Sequence, residues 1–297
     1  MTRTALVLAE GFHFGEGPRW HADDSGGRLW FSDFYSKTIR SVDLAGDHRI
    51  ELTLDDQPSG LGWMPDGSLL FVSMRKRQVW RRHADGRLAL HADLGALSAH
   101  LCNDMVVDGE GRAYVGNFGF DLDHELRARG VESVLADHPK ANLVLVQPDG
   151  TVSVGAPDLS FPNGTVITPD GKTLIVGETL GARLTAFDIG ADGALSGRRV
   201  WADTMPRVPD GIALDAEGAI WIANPLAPEC VRIAEGGAVL EVVSTGEMQC
   251  YACMLGGPEG RHLFMLCAPS SDAGVASSAA KGVVLVAEVD SSRAGRP

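Results

Sequence analysis

Two carboxylates, two carboxamides and one hydroxyl recur in this chain at a fixed distance from a glycine. The glycines are Gly27, Gly67, Gly111, Gly171, Gly218 and Gly260, at intervals of 40, 44, 60, 47 and 42 residues. Eight residues before the last five stand Ser59, Asn103, Asn163, Asp210 and Ala252; the first repeat carries three extra turn residues, and there eleven residues lead back to Glu16. Asn and Asp ahead of glycine favour turns by themselves. That reading leaves the shared register unexplained, and it does not cover Glu16, since Glu is not a turn former. If the six positions converge, Glu16 and Asp210 repel unless a cation lies between them. Hard divalent cations take such all-oxygen shells. The candidate ligands are the four oxygen carriers Glu16, Asn103, Asn163 and Asp210.

Convergence needs a fold that brings equivalent positions of each repeat to one point. Each glycine is followed by a short apolar segment, among them RLWFSD at 28–33, SLLFVS at 68–73 and AIWIAN at 219–224. Self-similarity at about 40–50 residues in a strand-rich chain marks propeller blades. The expected fold is all-β: one six-bladed β-propeller domain of four-stranded blades spanning 1–297. The last repeat is one strand short, and the spare strand at 4–10 is expected to pair with it and close the ring, because closure removes sheet edges. The Ser/Ala/Gly-rich 270–281 reads as a mobile loop on the ligand face, and 291–297 as a tail.

The second strand of each blade returns to the ligand face and ends at Asp33, Ser73, Asn117, Glu178, Asn224 or Cys267, an expected second ring. Glu178 is taken from it as a substrate-binding residue. The longest interval holds a polar, partly helical insertion at 118–142, read as a lid, since long loops in compact domains are commonly functional.

At Glu16-Gly17-Pro18-Arg19-Trp20, Asn103-Asp104, Pro162-Asn163-Gly164 and Pro209-Asp210-Gly211 the chain resembles the SMP-30/gluconolactonase/LRE family of six-bladed propellers. The resemblance runs from about Gly15 to Asp290. It implies that Glu16, Asn163 and Asp210 hold a divalent metal, that Asn103 touches metal or substrate, and that Asp210 moves protons while a lactone opens. The expected cofactor is one divalent ion, calcium or zinc ahead of magnesium or manganese. Sugar-lactone members often carry an Arg two residues before the matching Asn; here that position is Leu101. Leu101 and its neighbour Cys102, with Asn103 and Glu178, are the candidate substrate contacts. The change at Leu101 points to a substrate less hydroxylated than gluconolactone, unless Arg127, Arg129 or Arg183 supplies the missing charge.

Composition sets outer bounds. The 297 residues are 44% hydrophobic and carry net charge −13, from 39 acidic against 26 basic residues. Such a balance disfavours nucleic acid, whose phosphates need a basic face. The one basic run, Arg75-Lys76-Arg77 with Arg81-Arg82, reads as a solvated blade edge. No stretch reaches the ~18 apolar residues of a membrane span, and no signal peptide is evident. The five cysteines fit reduced thiols in a cytoplasmic protein. Cys250-Tyr251-Ala252-Cys253 lacks a partner pair for zinc and lies in a strand. The expected partner is a small molecule, and the assembly a monomer or small homo-oligomer.

The mechanism these readings support is metal-assisted hydrolysis of a cyclic ester, with Asp210 as general base and then acid. There is no G-x-S-x-G motif and no His at a ring position; His13, His100, His124 and His138 read as surface or packing residues. Two alternatives stay open: a phosphotriesterase-type hydrolase on the same metal propeller, and a non-enzymatic, metal-stabilised binding propeller.

Overall fold

The computed structural model describes residues 3, 5–22 and 26–297. Asp23, Asp24 and Ser25 in the longer turn of the first repeat, and Thr4 at the start of the spare strand, lie outside them. The turn glycines reverse the chain as their spacing predicts. Gly67 and Gly171 sit at φ +80° and +70°, where a side chain would strain the backbone. Each turn joins an inner strand to the next, and every blade continues outward as an antiparallel meander.

Six four-stranded sheets result, and together they form a six-bladed β-propeller. The inner strands are Gly15–His21, Pro58–Trp63, Cys102–Val107, Pro162–Ile167, Ile212–Leu214 and Gln249–Gly256 in blades 1 to 6. Each packs against the inner strand of the next blade, and blade 6 returns to blade 1. Closure comes from the N-terminal strand Leu6–Phe12, which pairs antiparallel with Gly282–Glu288 as the outermost strand of blade 6.

Two features of the inner strands aim the ring residues. The first is a break in the ladder. Register slips between Glu16 and Arg19, Pro58 and Leu61, Cys102 and Met105, Pro162 and Thr165, and Cys250 and Ala252. Bulges of this kind re-aim a side chain away from its sheet. The second is the glycine after the ring residue. A Cβ at Gly60 would lie 2.3 Å from the Met105 amide nitrogen, and one at Gly164 would lie 2.5 Å from that of Ile212. The following blade's backbone occupies the space a side chain would need, so the inner strands close in around the axis.

Apolar side chains fill the spaces between blades. Phe12 and Phe31, with ring centroids 4.9 Å apart, pack with Leu29 and Phe264 at the closure, and Trp221 is fully buried between blades 5 and 6. Among the described residues three α-helices interrupt the β pattern, all in connections on the ring-residue face: α1 (Leu122–Arg129), α2 (Val131–Ala136) and α3 (Ala273–Ser278). α3 corrects the reading of 270–281 as a mobile loop: Asp272 caps it, its side chain accepting from the Val275 amide at 3.0 Å. Among the described residues no helix is long and apolar enough to cross a membrane.

The segment 291–297 is not a loose tail. Its backbone crosses the opposite face, where Arg293 N donates to Gly260 O at 2.8 Å, Ala294 N to Leu214 O at 3.0 Å and Arg296 N to Ile167 O at 2.8 Å. It thus ties blades 4, 5 and 6 where their inner strands end. Such bonds contribute about 1 kcal/mol each, and ~2–4 °C of Tm accompanies each kcal/mol in a chain of this size. Deleting 291–297 is expected to lower the midpoint of a thermal melt by about 5 °C or more; an unchanged midpoint would show the clasp to be idle.

Candidate functional site

The ring residues meet at the axis and hydrogen-bond from blade to blade. Ser59 Oγ donates to Asn103 Oδ1 at 3.1 Å, Asn103 Nδ2 donates to Asn163 Oδ1 at 3.0 Å, and Asn163 Nδ2 donates to Asp210 Oδ1. Glu16 enters from blade 1, one oxygen accepting from the Gly17 amide at 3.2 Å. All four oxygen carriers named from the sequence are buried here. At blade 6 the small Ala252 leaves the ring open, and its neighbour Tyr251 lines the cavity above, its hydroxyl donating to Gln249 Oε1 at 2.5 Å.

The electrostatics are those of acids lacking a counter-charge. Burial, then the charges of Asp210 and Asp104, pushes the Glu16 carboxyl well above the usual carboxylate range. Burial and Asp104 do the same to Asp210, against the bond from Asn163. The buried Arg19 is already committed: Nη2 donates to Asp104 Oδ1 at 2.7 Å and Nε to Leu61 O at 2.9 Å.

This donor set fits a hard divalent cation. It offers two carboxylates and two carboxamides, all oxygen ligands, in a buried ring where positive charge would relieve both raised acids. Asn163 would present its amide oxygen by turning the nitrogen away from Asp210. Among the described residues no three His, Cys, Asp or Glu side chains gather as a metal-binding group. The amides of Asn103 and Asn163 are therefore needed to complete a shell.

Above the ring opens a cavity of ≈ 430 Å³. Its walls are mostly apolar. Phe14 and Tyr251, with ring centroids 4.6 Å apart, form one side, and Phe118 and Phe161, at 4.5 Å, another. α1 and α2 contribute Leu122, Leu126, Val131 and Leu135, which places the 118–142 insertion over the site.

Of the expected substrate contacts, Asn103 and Leu101 line this cavity and two others do not. Cys102 points into the core with Met74 and Leu94, where burial pushes its thiol up to about 11. Alternation along the strand turns it away from the axis as Asn103 turns in. Glu178 is likewise fully buried away from the cavity. Its oxygens accept from Arg183 Nε at 2.9 Å, Thr185 Oγ1 at 2.5 Å and the Ser160 amide at 2.7 Å. Burial alone would raise this carboxyl, but Arg183, Thr185 and Ser160 together hold it below its usual value. The rest of the expected second ring is also engaged within the blades. Asp33 accepts from the Phe14 amide at 3.1 Å and Ser36 Oγ at 2.5 Å, and Asn117 Nδ2 donates to Asn142 O at 2.6 Å. These residues anchor the loops of the ligand face.

The three arginines considered as substitutes for the missing charge are paired elsewhere: Arg127 with Asp272, Arg129 with Glu125 and Arg183 with Glu178. Arg75, read as part of a solvated edge, is exposed and also lines the cavity. Its signal was positional: it lies two residues past Ser73, where the second strand of blade 2 reaches the ligand face. Among the described residues no histidine lines the cavity.

With this geometry established, comparison with known proteins places the chain. Residues 14–269 match the model of the SMP-30/Gluconolactonase/LRE-like region, and the chain belongs to that family. Among curated relatives, pentonolactonase XacC of Haloferax volcanii is 28% identical over 252 residues, 83% of this chain and 75% of that protein. Bovine regucalcin is 23% identical over 266 residues, 88% of this chain and 85% of its own. Among solved structures, the calcium-binding protein regucalcin of Agrobacterium tumefaciens superposes with TM-score 0.80 at 23% identity, covering 100% of this chain and 97% of that one. A gluconolactonase from Xanthomonas campestris superposes with TM-score 0.73 at 22% identity, covering 96% and 89%.

Two outcomes follow from the electrostatics. In chelator-treated protein, Asp210→Asn should raise Tm by several degrees, because it removes one of two buried acids from a site without a counter-charge; a lowered Tm would contradict the repulsion. Glu178→Gln should lower the unfolding free energy by about 2 kcal/mol, since charged hydrogen bonds are lost in a buried network. Denaturant titration measures that loss, and an unchanged midpoint would count against the anchoring role.

Proposed function

We propose that the protein is a divalent-metal-dependent lactonase, acting on lactones less hydroxylated than gluconolactone. The observation that carries this reading is the buried ring of Glu16, Asn103, Asn163 and Asp210 at the floor of an apolar cavity. Family membership supports it, as do the relatives' names, pentonolactonase and gluconolactonase. The walls, with Leu101 among them, favour a less polar ring than those names imply.

Glu16, Asn163 and Asp210 would hold the ion, with Asn103 completing the shell or holding the substrate. When bound, a divalent ion supplies Lewis acidity toward a carbonyl oxygen and lowers the pKa of water. Asp210 takes the proton from the attacking water on a carboxylate oxygen. It returns that proton to the ring oxygen as the acyl C–O bond breaks, leaving a hydroxycarboxylate. The apolar walls exclude bulk water and orient the ring by its hydrocarbon face. The 118–142 segment acts as the lid over it.

Ring hydroxyls that face the apolar walls are left unsatisfied, at about 1–3 kcal/mol each. On metal-loaded protein, kcat/KM for γ- and δ-alkyl lactones is expected to exceed that for gluconolactone by about tenfold or more. Chelation should abolish turnover, and Asp210→Ala should reduce it ~10²-fold or more while the fold persists. Full activity after exhaustive chelation would sink the metal assignment, and a preference for gluconolactone the substrate assignment. Turnover of phosphotriesters in place of lactones would move the reaction to the other hydrolase class.

A further inference from the structure

The cavity holds one cationic side chain among its described lining residues, Arg75. It sits in the connection between the blade 2 strands Leu69–Ser73 and Gln78–Arg82. Its Nε donates to Gln57 Oε1 at 2.8 Å, and Gln57 also lines the cavity. Among the described residues nothing accepts from its two Nη groups, and no carboxylate pairs with it.

Its neighbours differ. Lys76 pairs with Asp55 at 2.6 Å, and Arg77 donates to Ser98 O at 3.0 Å. In a chain of net charge −13, a solvent-exposed guanidinium at the cavity, held at Nε and free at its fork, is a ready receptor for an anion. Its placement adds a direction. The inner strands run around the axis in chain order, so blade 2 stands opposite blade 5, which carries Asp210. Between the two lie the aromatic walls around Phe14 and Tyr251.

We infer that Arg75 is a specificity-determining residue that binds a carboxylate carried by the substrate, at the end of an apolar body whose lactone carbonyl lies toward Asp210. The substrate class is thereby narrowed from apolar lactones to lactones with an apolar body and an anionic arm. The identity of the reacting group rests on the lactonase reading; the anion site does not.

The test uses a γ-lactone with a carboxylate-terminated aryl or alkyl arm, its neutral primary carboxamide, and the non-hydrolysable lactams of both. Full-length wild type is expected to favour the acid over the amide by about tenfold or more in kcat/KM, through a lower KM. In calorimetry it should bind the acid lactam more tightly than the amide lactam by a similar factor. Arg75→Gln should bring both ratios near one, and Arg75→Lys should keep part of them, since a point charge remains without the fork. Raised salt should weaken the acid alone. Equal binding of acid and amide lactams by wild type would overturn the proposal, as would an equal loss of both in Arg75→Gln with the thermal midpoint unchanged. If no lactone is opened yet the acid lactam still binds in an Arg75-dependent way, the anion site stands and the lactonase reading falls.

Discussion

The structure depends on how closely the inner strands approach one another around the axis. At Gly60, Gly164 and Gly211 the next blade's backbone lies so near that a Cβ would fall 2.3–2.6 Å from it. This closeness brings side chains from four blades within hydrogen-bonding reach, so that Ser59, Asn103, Asn163 and Asp210 form one continuous network. A looser ring of the same residues would be a set of solvated polar groups. The glycines thus act on chemistry through distance, without touching a ligand themselves.

That closeness also concentrates negative charge in a place water cannot relieve. Glu16, Asp104 and Asp210 are all buried, and Arg19 answers only Asp104 directly. Elsewhere the same protein shows how buried acids are ordinarily satisfied. Asp33 and Glu178 each gather several donors, and Asp215 pairs with Arg232 at 2.6 Å and accepts from the Ala219 amide at 3.0 Å. The two kinds of buried acid separate a structural carboxylate from one held in readiness for an added charge.

This contrast explains what could and could not be read from the sequence. The fold was legible because each repeat carries its own turn glycine and apolar strand, and the strand deficit of the last repeat pointed to the chain start for closure. The ring was legible because Asn103, Asn163 and Asp210 share one offset, which Glu16 matches once the three extra turn residues of its repeat are allowed for. Glu178 and Cys102 were misplaced because an offset along the chain says where a residue stands and not which way it faces. Strand alternation turned Cys102 into the core, and Arg183 and Thr185, brought close only by the outer pairing, claimed Glu178. Arg75 was hidden for the converse reason: a basic run looks the same on a blade edge and at a cavity wall. The tail at 291–297 was hidden because its partners at Gly260, Leu214 and Ile167 are backbone atoms, which leave no mark in composition.

The strand Leu6–Phe12 finds its partner in Gly282–Glu288, so two strands far apart in the chain are neighbours in the sheet. A chain growing from its N-terminus therefore carries Leu6–Phe12 without that partner until Gly282–Glu288 has been made. Contacts this distant in sequence are slow to form, and exposed strand edges are where association between chains begins. The ring closes only once Gly282–Glu288 is available, and the 291–297 clasp, which follows it in the chain, can dock only after that.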